Sequence, residues 1–341
     1  MPLVIPESWQ PALDLLGRGG VCLVIGATDV GKSTFCAVAA GRALAAGLVA
    51  VVDADTGQSD IGPPACVSVG LVTQPLERLA EVPAAGTYFV GSTSPFGHLL
   101  PCVAGARRMA DRARDLGARS LIVDTTGMVA GPAARALKAA KVDLLQPDFL
   151  VALQREDEVE HLLAPYRKRA RPQVLRLRPS RAAQIRSPEE RRANRERAFA
   201  RALAGGQPAT LRWSSLGTEG TPFLTGAVLP GHLRDELEAM AGAEVIYAER
   251  AADLTFAIAR GAARSHQAAG SVHIDDEAFF DQRLVGLLDE AGDTIALGLL
   301  LKLDFRGRAL TLHAPPEAVA RTRALRVGAM RVAADGTELG R

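Results

Sequence analysis

Short apolar runs that stop at a glycine or an acid, separated by segments of helix-forming composition, make up the first part of the chain. Residues 21–26 read VCLVIG, the pattern of a buried parallel strand feeding a glycine loop. KSTFCAVAAGRALAAG (32–47) has helix-forming composition and ends at Gly47, which suits a C-cap. LVAVVDAD (48–55) is a second β-like run, closing on two acids. Strand, loop, helix and strand make a βαβ unit, whose connection is expected to be right-handed. The rhythm continues with a strand and loop in GTYFVGSTSP (86–95), a helix in CVAGARRMADRARDLG (102–117), and strands in RSLIVDTTG (119–127), DFLVALQ (148–154) and PQVLRLRP (172–179). A parallel sheet flanked by helices is therefore predicted up to about residue 205.

After AGGQPA (204–209) the texture changes. AEVIYAE, LTFAIARG, the long stretch from Arg283 to Pro315, and LRVGAMRV are strand-like, and EAGD, FRGR and ADGT between or beside them are hairpin-type turn signals. The expected fold class is α/β, a phosphate-loop parallel sheet followed by a smaller, mainly antiparallel β domain. The expected divisions are a short N-terminal extension (1–17), a kinase-like domain (18–205) and a C-terminal β-rich domain (206–341).

Composition narrows this picture. No apolar run approaches the roughly 20 residues of a membrane span, and the first ten residues lack the form of a signal peptide, so a cytoplasmic protein without a membrane partner is expected. Cys22, Cys36, Cys66 and Cys102 show neither CxxC pairing nor metal-ligand spacing, which argues against disulfides and zinc. The net charge is only +2, but residues 167–201 hold thirteen Lys or Arg against three Glu. Such a run is either a solvated helix face or a patch for a polyanion.

Gly26-Ala-Thr28-Asp29-Val30-Gly31-Lys32-Ser33 fits the phosphate-loop pattern GxxxxGK[ST], set between a predicted strand and helix as its mechanism requires. Its backbone N–H groups and the positive end of the following helix would cradle a β-phosphate. Lys32 would bridge β- and γ-phosphates, and the Ser33 hydroxyl would ligate Mg²⁺. Asp53 and Asp55 lie at the predicted carboxyl end of the next strand, where a carboxylate can accept the proton of an attacking hydroxyl or hold the metal. Asp124, ending LIVD, takes the position of a direct or indirect magnesium carboxylate, and Gly127 would let the chain turn sharply near the phosphate.

GATDVGKST, DADTGQSDIGPP, GSTSP, DTTGMVAG and RSPEERRANRERAF, in this order and spacing, resemble the polynucleotide 5′-hydroxyl kinases related to the RNA kinase of the pre-mRNA 3′-cleavage machinery and to the pre-rRNA-processing kinase. The resemblance runs from about residue 18 to 341, and its most specific part is the DxDxGQ element. It implies ATP and Mg²⁺ as cofactors, RNA or DNA with a 5′-hydroxyl end as partner, and Lys32, Ser33 and Thr34 as nucleotide-loop residues. It further implies Asp55 as the acid that activates the hydroxyl, with Asp53 beside Ser33 and Asp124 in the metal set. Thr93 corresponds to a clasp, with Ser92, Gln58 and Thr126 around the substrate. Arg191 and Arg195, four apart and so on one helical face, correspond to a lid of about 180–201 with Arg186, Arg192 and Arg197, and Arg155 is grouped with them.

The family's eukaryotic members carry an N-terminal β domain for which this chain has no room, so a minimal, prokaryotic-type form is expected. Met128 stands where some members have an aromatic, and substrate recognition is expected to rest on backbone phosphates more than on bases. No NKxD-type guanine reader follows a late strand, which favours ATP over GTP. Two other readings fit a phosphate loop: a nucleotide-binding scaffold of an RNA-processing assembly without turnover, and a switch or metabolic kinase.

Overall fold

The computed structural model describes residues 5–181, 183–261, 265–266 and 271–340. Residues 1–4 of the expected extension, Ala182 of the expected lid, and 262–264, 267–270 and Arg341 of the expected C-terminal domain lie outside them. The chain divides into two compact units, Met1–Ala198 and Phe199–Arg341. The division falls inside the helix Pro188–Leu203, not at the glycine-rich stretch that follows it.

Seven strands of the first unit form one sheet: β1 (Gly20–Gly26), β2 (Val49–Ala54), β3 (Cys66–Val72), β4 (Ala84–Phe89), β5 (Ser120–Thr125), β6 (Phe149–Leu153) and β7 (Gln173–Leu177), in spatial order β4-β3-β2-β5-β1-β6-β7. From β2 to β7 along that order the strands are parallel. β3 and β4 are antiparallel additions on the far side of β2. The sequence reading anticipated neither β3 nor the direction of β4. The connection from β2 to β3 contains no crossover helix, so the chain can only return antiparallel.

Helices α1 (Gln10–Leu16) and α2 (Lys32–Ala43) cover one face; α3 (Leu99–Asp115) and α4 (Gly131–Leu145) cover the other. Alternate strand residues serve the two cores. Cys22, Val24, Val49, Val51 and Ile122 pack with Leu13, Phe35 and Cys36, while Leu23, Ile25, Ala50, Val52 and Val123 pack with Ala106, Met109 and Leu137. Burial on both faces is why these strands read as unbroken apolar runs. From the N-terminal segment, Trp9, Ala12, Leu13 and Leu16 belong to this core. Trp9 is fully buried, its indole N–H donates to the Arg178 carbonyl at 2.8 Å, and its ring meets Phe35 edge-on at 5.2 Å. All four cysteines are buried.

Parallel pairing sets the position of the chemistry. β1, β2 and β5 end on the same edge, with Asp53 in register beside Asp124, so the loops after them converge. The basic run is divided by the same rule. β7 runs parallel to β6, so Arg169 and Arg171, which precede it, lie at the opposite edge of the sheet, where Arg171 pairs with Asp148 at 2.9 Å just before β6. A five-residue strand separates the two edges by about 16 Å. Helices α5 (Glu160–Leu163) and α6 (Pro188–Leu203) follow β6 and β7, and Glu160 binds both Arg167 and Arg176.

The second unit is mainly β. Its larger sheet joins β8 (Gln207–Arg212), β9 (Gly217–Glu219), β15 (Arg283–Leu288), β16 (Thr294–Asp304), β17 (Ala309–Ala314), β18 (Ala324–Val332) and β19 (Glu338–Gly340). The smaller holds β10 (Ala227–Val228), β11 (Val245–Ala251), β12 (Leu254–Ala259), β13 (Ser265–His266) and β14 (Val272–Asp276). EAGD and FRGR form the turns of the β15–β16 and β16–β17 hairpins, while β12–β14 and β9–β18 are parallel exceptions. Trp213 packs edge-on against Phe223, Tyr247 and Phe305 in its core.

Candidate active site

The residues from Ala27 to Gly31 join β1 to α2, whose first turn offers unpaired N–H groups and the positive end of the helix dipole to this loop. Lys32 is nearly buried and its ammonium curls back to donate to the Ala27 carbonyl at 2.8 Å. The Ser33 hydroxyl donates to Asp124 Oδ2 at 2.7 Å, and Asp124 Oδ1 accepts the N–H of Thr125. Burial raises the Asp124 carboxyl to about 6, against the opposing pull of Lys32 and Ser33. Asp60, which the sequence reading passed over although it stands inside the quoted DADTGQSD, lines the same cleft. Its carboxyl too is pushed up by burial, with the Ser33 hydroxyl and the charge of Arg186 opposing. A serine hydroxyl between two acids is a hard-oxygen donor set of the kind that suits Mg²⁺ when phosphate oxygens complete the shell. Among the described residues no cluster of three His, Cys, Asp or Glu forms a metal cage by itself.

The two acids after β2 differ in what they hold. Asp53 is buried, and both its oxygens accept backbone N–H groups: Oδ1 from Asp55 at 3.0 Å, Oδ2 from Asp60 at 2.6 Å and Ile61 at 3.0 Å. These three bonds organise the loop that follows β2. Asp55 uses only Oδ1, which accepts from Gly57 and Gln58, and its second oxygen accepts no hydrogen bond among the described residues. Asp55 lines a cleft of about 270 Å³ together with Gln58 and the phosphate-loop residues Thr28, Asp29, Gly31, Lys32, Ser33 and Thr34. Val30, between them, is buried beneath the loop.

Two glycines let neighbouring loops close on this cleft. A Cβ on Gly57 would lie 2.7 Å from the Thr93 carbonyl, and one on Gly127 would lie 2.4 Å from Thr28 Oγ1. Gly127 therefore serves close approach to the phosphate loop, a different reason from the sharp turn expected of it. Ser92 is buried and bonds to Ser94 through both its hydroxyl donor and acceptor, so it shapes the clasp turn. Thr126 likewise shapes its own loop, its hydroxyl accepting from the Met128 N–H. Met128 packs against the core.

The lid arginines separate. Arg191 pairs with Asp29 at 3.0 Å, the backbone N–H of Arg186 donates to the same carboxylate at 3.1 Å, and Arg155 donates to the Asp29 carbonyl at 3.1 Å. Gln58 reaches the Arg191 carbonyl at 3.3 Å. Arg186 lines the cleft; Arg191, Arg192, Arg195 and Arg197 do not. Arg192 pairs with Glu196 one turn on, and Arg197 bonds to Asn194.

Two buried lysines of α4, Lys138 and Lys141, went unnoticed in the sequence because they sit in a helix of ordinary composition. Lys138 donates to Thr125 Oγ1 at 2.8 Å and to the Thr126 carbonyl at 2.6 Å; Lys141 reaches the Ala54 carbonyl at 3.4 Å. Helical side chains tilt toward the N-terminus, which here carries both ammonium groups up to the strand ends that bear Asp124 and Asp55. Burial lowers the pKa of both. Glu77 and Arg78, also on the cleft, come from the unrecognised β3–β4 connection.

A strand, a GxxxxGK[ST] loop and a helix, with an acid at the end of the adjacent β5 and another at the end of β2 beyond it, define a phosphate-loop nucleotide-binding protein. The profile of the mRNA cleavage and polyadenylation factor CLP1 P-loop family matches residues 26–204, and the chain belongs to that family. It is 30% identical over 327 residues to a polyribonucleotide 5′-hydroxyl-kinase of Methanocaldococcus jannaschii, covering 93% of this chain and 88% of that one. A second, from Pyrococcus furiosus, is 27% identical over 328 residues, 95% of this chain and 91% of the relative. The fold resembles that of a chain in a solved Clp1p–Pcf11p complex, with a TM-score of 0.60 at 11% identity over 96% of this chain and 81% of that chain. No described helix is long and apolar enough to cross a membrane.

Proposed function

We propose that the protein transfers the γ-phosphoryl group of ATP to the 5′-hydroxyl of a polynucleotide. The observation that carries this reading is the open oxygen of Asp55 in one cleft with Lys32 and Ser33. Asp55 Oδ2 accepts the hydroxyl proton as the 5′ oxygen bonds to the γ-phosphorus, and the bond from that phosphorus to the β–γ bridging oxygen breaks to leave ADP. Asp53 holds the loop that presents Asp55, and Lys32, Arg186 and Arg191 supply positive charge for the phosphoryl oxygens. A magnesium ion held through Ser33 and Asp124 would neutralise phosphate charge. RNA is favoured as acceptor, since the relatives aligned over nearly the whole chain are named polyribonucleotide kinases.

The test is to incubate the protein with 5′-hydroxyl RNA, DNA and short duplexes, Mg²⁺ and each nucleoside triphosphate, and to score 5′-phosphate. Transfer from ATP, abolished in Lys32→Ala, is the expected result. Nucleotide binding without single-turnover transfer would leave a scaffold instead.

A further inference from the structure

We propose that Phe96, with Leu100 in the first turn of α3, is a stacking platform for a nucleobase near the 5′ end of the acceptor strand, an inference that rests on the kinase reading above. The chain has two Trp, three Tyr and ten Phe. Among the described residues, Phe96 is the exposed aromatic, at 68%; the others are buried or half-buried within the two units. Leu100 is 83% exposed, and outside this pair and Ile185 no other large apolar side chain among the described residues exceeds 44%.

Exposure at the tip of a loose loop would mean little. This loop is built. Ser92 and Ser94 bond reciprocally, the Phe96 N–H donates to Ser94 Oγ at 3.3 Å, His98 N–H to the Pro95 carbonyl at 2.8 Å, and Cys102 N–H to the His98 carbonyl at 3.1 Å. The segment therefore holds an apolar ring in water where a polar residue would serve solubility better. Its location gives the occupant. Thr93, three residues before Phe96, lies against Gly57, and Gly57 and Gln58 hold Asp55, the acid at the acceptor hydroxyl. A strand whose 5′ oxygen reaches Asp55 must extend away from the nucleotide, and the clasp loop adjoins the Asp55 loop at Gly57, where a Cβ would lie 2.7 Å from the Thr93 carbonyl and 3.5 Å from Asp55 Oδ1, while neither Thr93 nor Phe96 lines the nucleotide cleft. An aromatic face takes any base, because every base has a π face, so such a platform grips the strand without selecting sequence.

The decisive comparison uses Phe96→Ala and Phe96→Trp with two acceptors, one normal and one carrying abasic sites in its first three nucleotides. Phe96→Ala is expected to raise the KM for the normal acceptor about tenfold, to leave that for the abasic acceptor unchanged, and to leave the KM for ATP unchanged. Phe96→Trp should keep a low acceptor KM and show indole quenching when the normal acceptor, and not the abasic one, is added. An unaltered acceptor KM in Phe96→Ala overturns the platform. So does an equal rise with both acceptors, which would mean the loop acts through its shape, or a rise in the KM for ATP, which would place adenine there. If the wild-type protein transfers no phosphate at all, the kinase reading fails, and the Phe96→Trp titration still decides the platform: quenching supports it and a flat signal overturns it.

Discussion

Arg191 of α6 and Asp29 of the phosphate loop form an ion pair at 3.0 Å, with side chains 26% and 13% exposed. Helix α6 is thus anchored on the phosphate loop. Arg191→Ala is expected to lower kcat by about 10²-fold or more with both substrates saturating, since it removes a charge that the proposed function assigns to the transferring group. Asp29→Asn, which weakens only the anchor, should lower kcat about tenfold. The double variant should be no slower than Arg191→Ala, because the two act through one contact. Additive losses in steady-state kinetics would show that Asp29 and Arg191 work independently.

Asp53 and Asp55 should separate stability from chemistry. In Asp53→Asn an amide N–H₂ or a lone oxygen must face the three N–H groups that now share a carboxylate, so thermal melting should show a loss of about 1–3 kcal/mol. Asp55→Asn keeps one acceptor oxygen for Gly57 and Gln58 but loses the proton acceptor. Its melting temperature should stay within a degree or two while turnover falls about 10²- to 10⁴-fold. The opposite pattern would exchange the roles given to these acids.

Lys141 is buried with a single long bond to the Ala54 carbonyl. A buried ammonium without a carboxylate partner is costly, and an apolar chain of similar volume usually restores stability. Lys141→Met is accordingly expected to raise Tm while slowing turnover about tenfold, through loss of the charge beneath Asp55. Lys138→Met should instead lower Tm, because it strips the Thr126 carbonyl of its donor. Calorimetry and single-turnover rates on the two variants check the contrast. A rise in Tm with unchanged turnover for Lys141→Met would reduce that lysine to packing.

Arg169 and Arg171 lie at the sheet edge opposite the cleft, so alanine at either is expected to leave the acceptor KM and its salt dependence as in the wild type. Arg186→Ala, on the cleft, should raise that KM and flatten its rise with salt, since one fewer counterion is exchanged on binding. Measuring KM at two salt concentrations for the three variants distinguishes the edges.

Local pattern alone determined a good deal of this protein. The phosphate-loop sequence, the strands that flank it, and the hairpins at EAGD and FRGR are legible because each depends on contiguous residues: an apolar run, a glycine spacing, a turn. The antiparallel β3 and β4 were not legible, since strand direction depends on what connects the strands. Other features were decided only by the tertiary structure. Thirteen basic residues look like one patch in the sequence, yet β7 carries Arg169 and Arg171 to one edge of the sheet and Arg186 and Arg191 to the other. Asp53 and Asp55, two residues apart and chemically identical, part company because one carboxylate is enclosed by backbone N–H groups and the other keeps an oxygen open to the cleft. Lys138 and Lys141 gain their place under the strand ends from the packing of α4, and Phe96 its isolation from the burial of the chain's other aromatics. In each case the deciding quantity is which groups share a volume, and sequence separation does not encode that.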